Sequence, residues 1–188
     1  MTSVTAQTRT TPSETRHDPL TITLHWITAF LVLFQFLSAQ VWEFLEKGTA
    51  GRLGLIYTHF AFGILLTIVV LVRVVWRIAN RNHLPAATSG IKHLAAQAVH
   101  LCLYGLLLAQ VALGLAFGWS SGKPIPFFNL FSVPPLLTID PSYRHQIAGL
   151  HNDFAWIIIA FVAIHAFAAL AHHYILRDKV LMRMMPAR

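Results

Sequence analysis

Apolar and polar positions in this chain fall into long blocks. Four stretches, 20–42, 53–78, 94–118 and 147–175, are almost continuously apolar. Each is long enough for an α-helix to cross a bilayer, which takes about 20 residues. The stretch "EFLEKGTAGR" joins the first two. The third is reached through "HLPAATSG", whose Pro and Gly mark a turn. The last two are separated by "SSGKPIPFFNLFSVPPLLTIDPSYRH", which holds five prolines and several aromatics. Its length and apolar content predict that it packs back on the helices or lies at the membrane interface. The pattern predicts an all-α, integral membrane four-helix bundle of up-down topology over 20–176. A flexible tail over 1–19 and a basic tail over 177–188 frame it, and the chain shows no internal repeat.

Composition agrees. Of 188 residues, 56% are hydrophobic and 11% charged, the latter about half the usual share. Net charge is +7, and its distribution sets the topology. Arg9, Arg16, Arg73, Arg77, Arg81, Lys92, Arg177, Lys179, Arg183 and Arg188 fall on the side of the N-terminus, against Lys47, Arg52, Lys123 and Arg144 on the other. Basic residues concentrate on the cytoplasmic side of membrane proteins, so both termini are expected in the cytoplasm. The basic excess then reads as topology plus attraction to anionic lipid, and a nucleic-acid partner is not expected. Cys102 stands alone, which excludes an intramolecular disulfide. The polar first residues lack the apolar core of a signal peptide.

The histidines change the picture most. His25, His59, His100, His151 and His165 lie within the spans, and His172 at the inner end of the fourth. An unpartnered polar group in hydrocarbon costs several kcal/mol, so something must satisfy these rings. His151 and His165 are 14 residues apart, hence about 40° apart around a helix and about 21 Å apart along it. Counted inward from the helix starts, His25 matches the depth of His165, and His59 that of His151. Two imidazole pairs at two depths suit two bis-histidine haems b, with iron on one ring nitrogen and an acceptor fixing the other. Zinc would want three or four converging ligands, and only Asp153 lies near one of these histidines. Polar helix contacts without haem remain the plain alternative. Gly63, Gly105, Gly114 and Gly118 suit either a macrocycle against the backbone or close helix packing.

The residues reached here carry a resemblance. "ITLHWITAFLVLFQF", "YTHFAFGILLTIVVLVRVVWR" and above all "GLHNDFAWIIIAFVAIHAFAALAHHYILRDKVLMRMMP" resemble the bacterial cytochrome b561 family over nearly everything after residue 19. The ending is similar to that of its superoxide oxidase branch, di-haem enzymes of the inner membrane that pass electrons from superoxide to ubiquinone. The resemblance implies His25, His59, His151 and His165 as axial ligands, the set already found from depth. It also points to His100 and His172, with Thr23, as donors to a quinone beside the inner haem, and leaves His173 to headgroups. Arg73, 14 residues after His59, shares that histidine's helix face at the depth of the inner pair, where it pairs with a haem propionate or snorkels to the surface.

At the outer end Lys123 and Arg144 could draw in superoxide, with His145, Lys47 and Arg52 available. Glu43, Glu46 and Asp140 dilute that field. The competing function is a di-haem subunit relaying electrons between a partner dehydrogenase and quinone, docked through "IPFFNLFSVPPLL". A homodimer also stays open.

Overall fold

The computed structural model describes residues 16–80, 90–128 and 130–186, without the Lys92 side chain. Residues 1–15, Arg9 among them, lie outside the described residues, as do Arg81, Arg188 and all but the last residue of the turn predicted at 83–90. Four helices carry the fold: α1 (Pro19–Glu43), α2 (Ala50–Ala79), α3 (Gly90–Trp119) and α4 (Arg144–Tyr174). All four are long and apolar enough to cross a membrane. Successive helices pack together, α1 on α2, α2 on α3 and α3 on α4. α4 begins one turn earlier than the apolar block suggests, because a 3-10 turn over Pro141–Tyr143, capped by Asp140, leads straight into it.

Local chemistry sets the helix starts. Pro19 occupies the first turn of α1, where a missing N–H costs nothing. Asp18 caps it, accepting from the Thr21 backbone N–H at 2.8 Å and from Trp76 Nε1 of α2 at 3.0 Å. Thr49 caps α2 in the same way. At the other end of α1 the Arg52 guanidinium donates to the Trp42 and Leu45 carbonyls and pairs with Glu43, meeting carbonyls the helix leaves open.

The segment between α3 and α4 folds back, in a form the apolar pattern does not reveal. Strand β1 (Ile125–Phe127) pairs antiparallel with β2 (Phe131–Val133), Pro126 opposite Ser132. The turn holds Phe128 at φ +47°, an uncommon conformation for a bulky residue, with its ring against Phe62 of α2, centroids 5.2 Å apart. Ile125 is buried against Gly118 of α3. This hairpin marks one end of the bundle.

The opposite end is a clasp between the chain's first and last described residues. His17 N donates to the Arg183 carbonyl at 3.1 Å and Trp26 Nε1 to that of Met184 at 2.8 Å. Arg16 reaches the Pro186 carbonyl. A 3-10 turn over Leu181–Met184 holds the basic segment in this position. Midway between the ends lies the core, Leu31, Val32, Leu66, Val70, Leu107 and Ile158, drawn from all four helices. Large side chains such as Phe30, Leu37, Ile68, Val75, Leu101 and Phe167 are exposed. In water such a surface would be a liability; in lipid it is the contact face.

Candidate functional site: two histidine pairs at two depths

Two pairs of imidazoles face each other across the bundle, one on either side of the core. Toward the clasp, His25 of α1 and His165 of α4 have ring centroids 6.2 Å apart, planes at 69°. Toward the hairpin, His59 of α2 and His151 of α4 are 6.3 Å apart at 80°. One metal ion between two ring nitrogens, with bonds of about 2.0 Å extended by the half-width of each ring, requires a centroid separation on the order of 6 Å. Both pairs meet it. Ile158 sits seven residues from each of the two α4 histidines and is buried in the core, so the two sites are separated by apolar packing.

Hydrogen-bond accounting fixes one tautomer. Ser38 Oγ donates its single proton to the Gln35 carbonyl at 3.0 Å. It therefore accepts from His59 Nδ1, 3.3 Å away, and the His59 Nε2 lone pair is left open for a metal. Gln35 Nε2 donates to the His59 carbonyl at 2.9 Å, and Gln110 Nε2 of α3 lies 3.3 Å from His151 Nε2. Among the described residues, Gln35 Oε1, Gln110 Oε1, His151 Nδ1 and Trp119 Nε1 are buried with no protein partner. Such orphans cost about 1–3 kcal/mol each, and three of them belong to His151 and to the two glutamines that contact this pair. A Cβ on Gly114 would lie 3.1 Å from His151 Cε1, so glycine there lets the ring seat against α3. These features fit haem, whose macrocycle supplies the iron's other four ligands. Among the described residues no three His, Cys, Asp or Glu side chains group to hold a bare metal ion.

Around the clasp-end pair the residues are basic. Arg73 Nη2 lies 2.9 Å from His25 Nδ1, and its guanidinium carbon lies 5.3 Å from the Tyr104 ring centre. Arg73 thus points into the bundle rather than snorkelling. Arg77 covers the same Tyr104 ring at 5.2 Å. The ring of His100 lies against His165, centroids 5.4 Å apart, and His172 Nδ1 is hydrogen bonded to Asp178. Thr23 is exposed on α1, and His173 contacts Tyr174.

At the hairpin end Lys123 and Arg144 line a single cavity of about 510 Å³ with Tyr57, Phe60, Ser121 and Pro126. Arg144 is anchored there, donating to the Phe117 carbonyl at 2.8 Å and Ser120 Oγ at 3.0 Å. Its charge thus lies at the C-terminal end of α3, where the helix dipole favours a cation. Sequence spacing alone missed Gln35, Ser38, Gln110 and Asp178. A polar residue inside an apolar span was the available signal for the first three.

A family model described as prokaryotic cytochrome b561 matches residues 16–187. The chain belongs to that family. It is 33% identical over 175 residues to cytochrome b561 homolog 1 of Escherichia coli (strain K12), covering 92% of this chain and 98% of the relative. It is 30% identical over 183 residues to a cytochrome b562 of Cereibacter sphaeroides, covering 93% and 98%. With a protein of Yersinia pestis named "probable superoxide oxidase" it shares 26% identity over 175 residues, 92% of this chain and 97% of that one. As a cytochrome b561 family member the chain is a multi-pass membrane electron-transfer protein, and the family implies haem b.

Proposed function

We propose that this protein is a superoxide:ubiquinone oxidoreductase of the bacterial inner membrane, holding two haems b, one on His25 and His165 and one on His59 and His151. The near-equal spacing of the two pairs, 6.2 and 6.3 Å, carries the reading. When bound, the haems supply one-electron transfer between the two ends of the bundle. The hairpin end faces the periplasm and the clasp the cytoplasm, in keeping with the charge distribution.

In this reading Lys123 and Arg144 raise the local concentration of the superoxide anion in the hairpin-end cavity. Two superoxide ions give up one electron each and leave as dioxygen. At the clasp end a quinone takes up those two electrons and two protons. The Asp178 carboxylate holds a proton on His172 Nδ1, which leaves Nε2 as the atom that exchanges a proton with a quinone oxygen. In the same reading His100 is the second polar group on that side, and Arg73 pairs with a haem propionate.

A second reading, a relay subunit for a partner dehydrogenase, draws on the exposed Leu130, Phe131, Leu136 and Leu137 beside the hairpin. Stopped-flow mixing of the oxidised protein with superoxide, then ubiquinone, separates the two. Rapid growth of reduced b-type bands that decay on adding quinone supports the oxidase, and His172→Ala slows only the decay. Haems that superoxide reduces no faster than a generic reductant does would leave the relay.

A further inference from the structure

The two histidine pairs match in spacing and differ in surroundings. At the hairpin end His59 Nδ1 meets a neutral hydroxyl oxygen, Ser38 Oγ. Among the described residues, the other polar or aromatic side chains contacting that pair are Gln35, Gln110 and Trp42, none of them charged. At the clasp end the equivalent atom, His25 Nδ1, meets the Arg73 guanidinium at 2.9 Å. Arg77 contacts the same Tyr104 ring as Arg73. Among the described residues no carboxylate forms an ion pair with either arginine.

These contacts act in opposite directions on an iron held by the other ring nitrogen. A Ser38 oxygen accepting from Nδ1–H makes the imidazole a stronger donor and favours ferric iron. His25 with iron on Nε2 keeps its proton on Nδ1, and it gains no donor strength from Arg73, which has only donors. The Arg73 charge opposes the extra positive charge of the ferric state, with little screening inside an apolar bundle. Pairing of Arg73 with a haem carboxylate would act in the same sense, because removing the arginine leaves that negative charge unmatched beside the iron.

We infer that Arg73 and Ser38 set the redox order of the two haems: the clasp-end haem has the higher midpoint potential, the hairpin-end haem the lower, and electrons run from hairpin to clasp. The inference rests on the two-haem reading above. Both residues are positioning residues, since they act through His25 and His59.

The test is a spectroelectrochemical titration of the purified holoprotein, with haem content measured as the pyridine haemochromogen. Arg73→Gln is expected to lower the higher midpoint and leave the lower one in place. The expected size is at least tenfold in the electron partition, about 59 mV for a one-electron couple. Arg73→Lys keeps the charge and should retain most of the wild-type value. Ser38→Ala should raise the lower midpoint alone, and as a small truncation it serves if the Arg73 variants do not assemble. Movement of the lower midpoint by Arg73→Gln, equal movement of both, no movement, or an equal drop in Arg73→Lys would each overturn the proposal. A wild-type content of one haem per chain removes the two-haem reading, and the proposal with it, before any variant is made.

Discussion

Gly114 shows how much rests on one missing methyl group. A side chain there would press on His151, whose Cε1 lies 3.1 Å from the position of a Cβ. Gly114→Val should displace that ring and, on the two-haem reading, cost the hairpin-end haem alone, roughly halving haem per chain in a haemochromogen assay while the clasp-end spectrum persists. His165→Ala should do the converse. The four paired histidines were legible in the sequence because depth along a helix follows from counting residues, and depth alone matched them. Ser38, Gln35 and Gln110 were not. Their roles depend on how the helices are rotated against one another, and a near-uniform apolar span carries little information about rotation. His100 shows the same limit: its depth followed from counting, while its ring contact with His165 depends on how α3 is rotated.

At the scale of elements, spans were easy to read and their ends were not. α1 starts where it does because Asp18 satisfies Thr21 and reaches across to Trp76. Asp18→Ala should cost about 0.5–2 kcal/mol, the usual range for a lost helix cap, seen as a lower thermal midpoint of the detergent-solubilised protein. Burial opposes ionisation of Asp18, but its hydrogen bonds from Thr21 and Trp76 outweigh it and hold the carboxyl below the usual range. A depressed folded-state value means this support is complete above the unfolded carboxylate range and fades as pH falls through the folded value. Acid titration should therefore close the gap between wild type and Asp18→Ala. The hairpin escaped prediction because its strands are three residues each and one contains a proline. Its seat on α3 is tight: a Cβ on Gly118 would lie 2.5 Å from Ile125 Cδ1. Gly118→Ala should destabilise by about 1–3 kcal/mol, typical of overpacking, and open the Lys123–Arg144 cavity to protease.

Across the whole molecule the clasp ties α1 to the segment beyond α4, and His17 makes that tie sensitive to acid. Burial and the neighbouring Arg183 charge, with a smaller push from Arg77 and against the pull of Asp18, lower its pKa. Folding thus favours the neutral ring. Stability is full above the ordinary histidine value of about 6.5 and declines as pH falls from there toward the folded value. Amide exchange at residues 16–18 and 181–186 should quicken between pH 7.5 and 5.5, and His17→Asn should remove the dependence.

The division of the histidines among helices bears on how the protein is made. α4 supplies one ring to each pair, and their partners sit on α1 and α2. The ribosome delivers α4 after the other three helices, so a nascent chain that lacks α4 contains neither pair. On the two-haem reading, cofactor capture waits for the fourth insertion, and the cell must keep haem at hand for a nearly finished bundle rather than feed it to an emerging one.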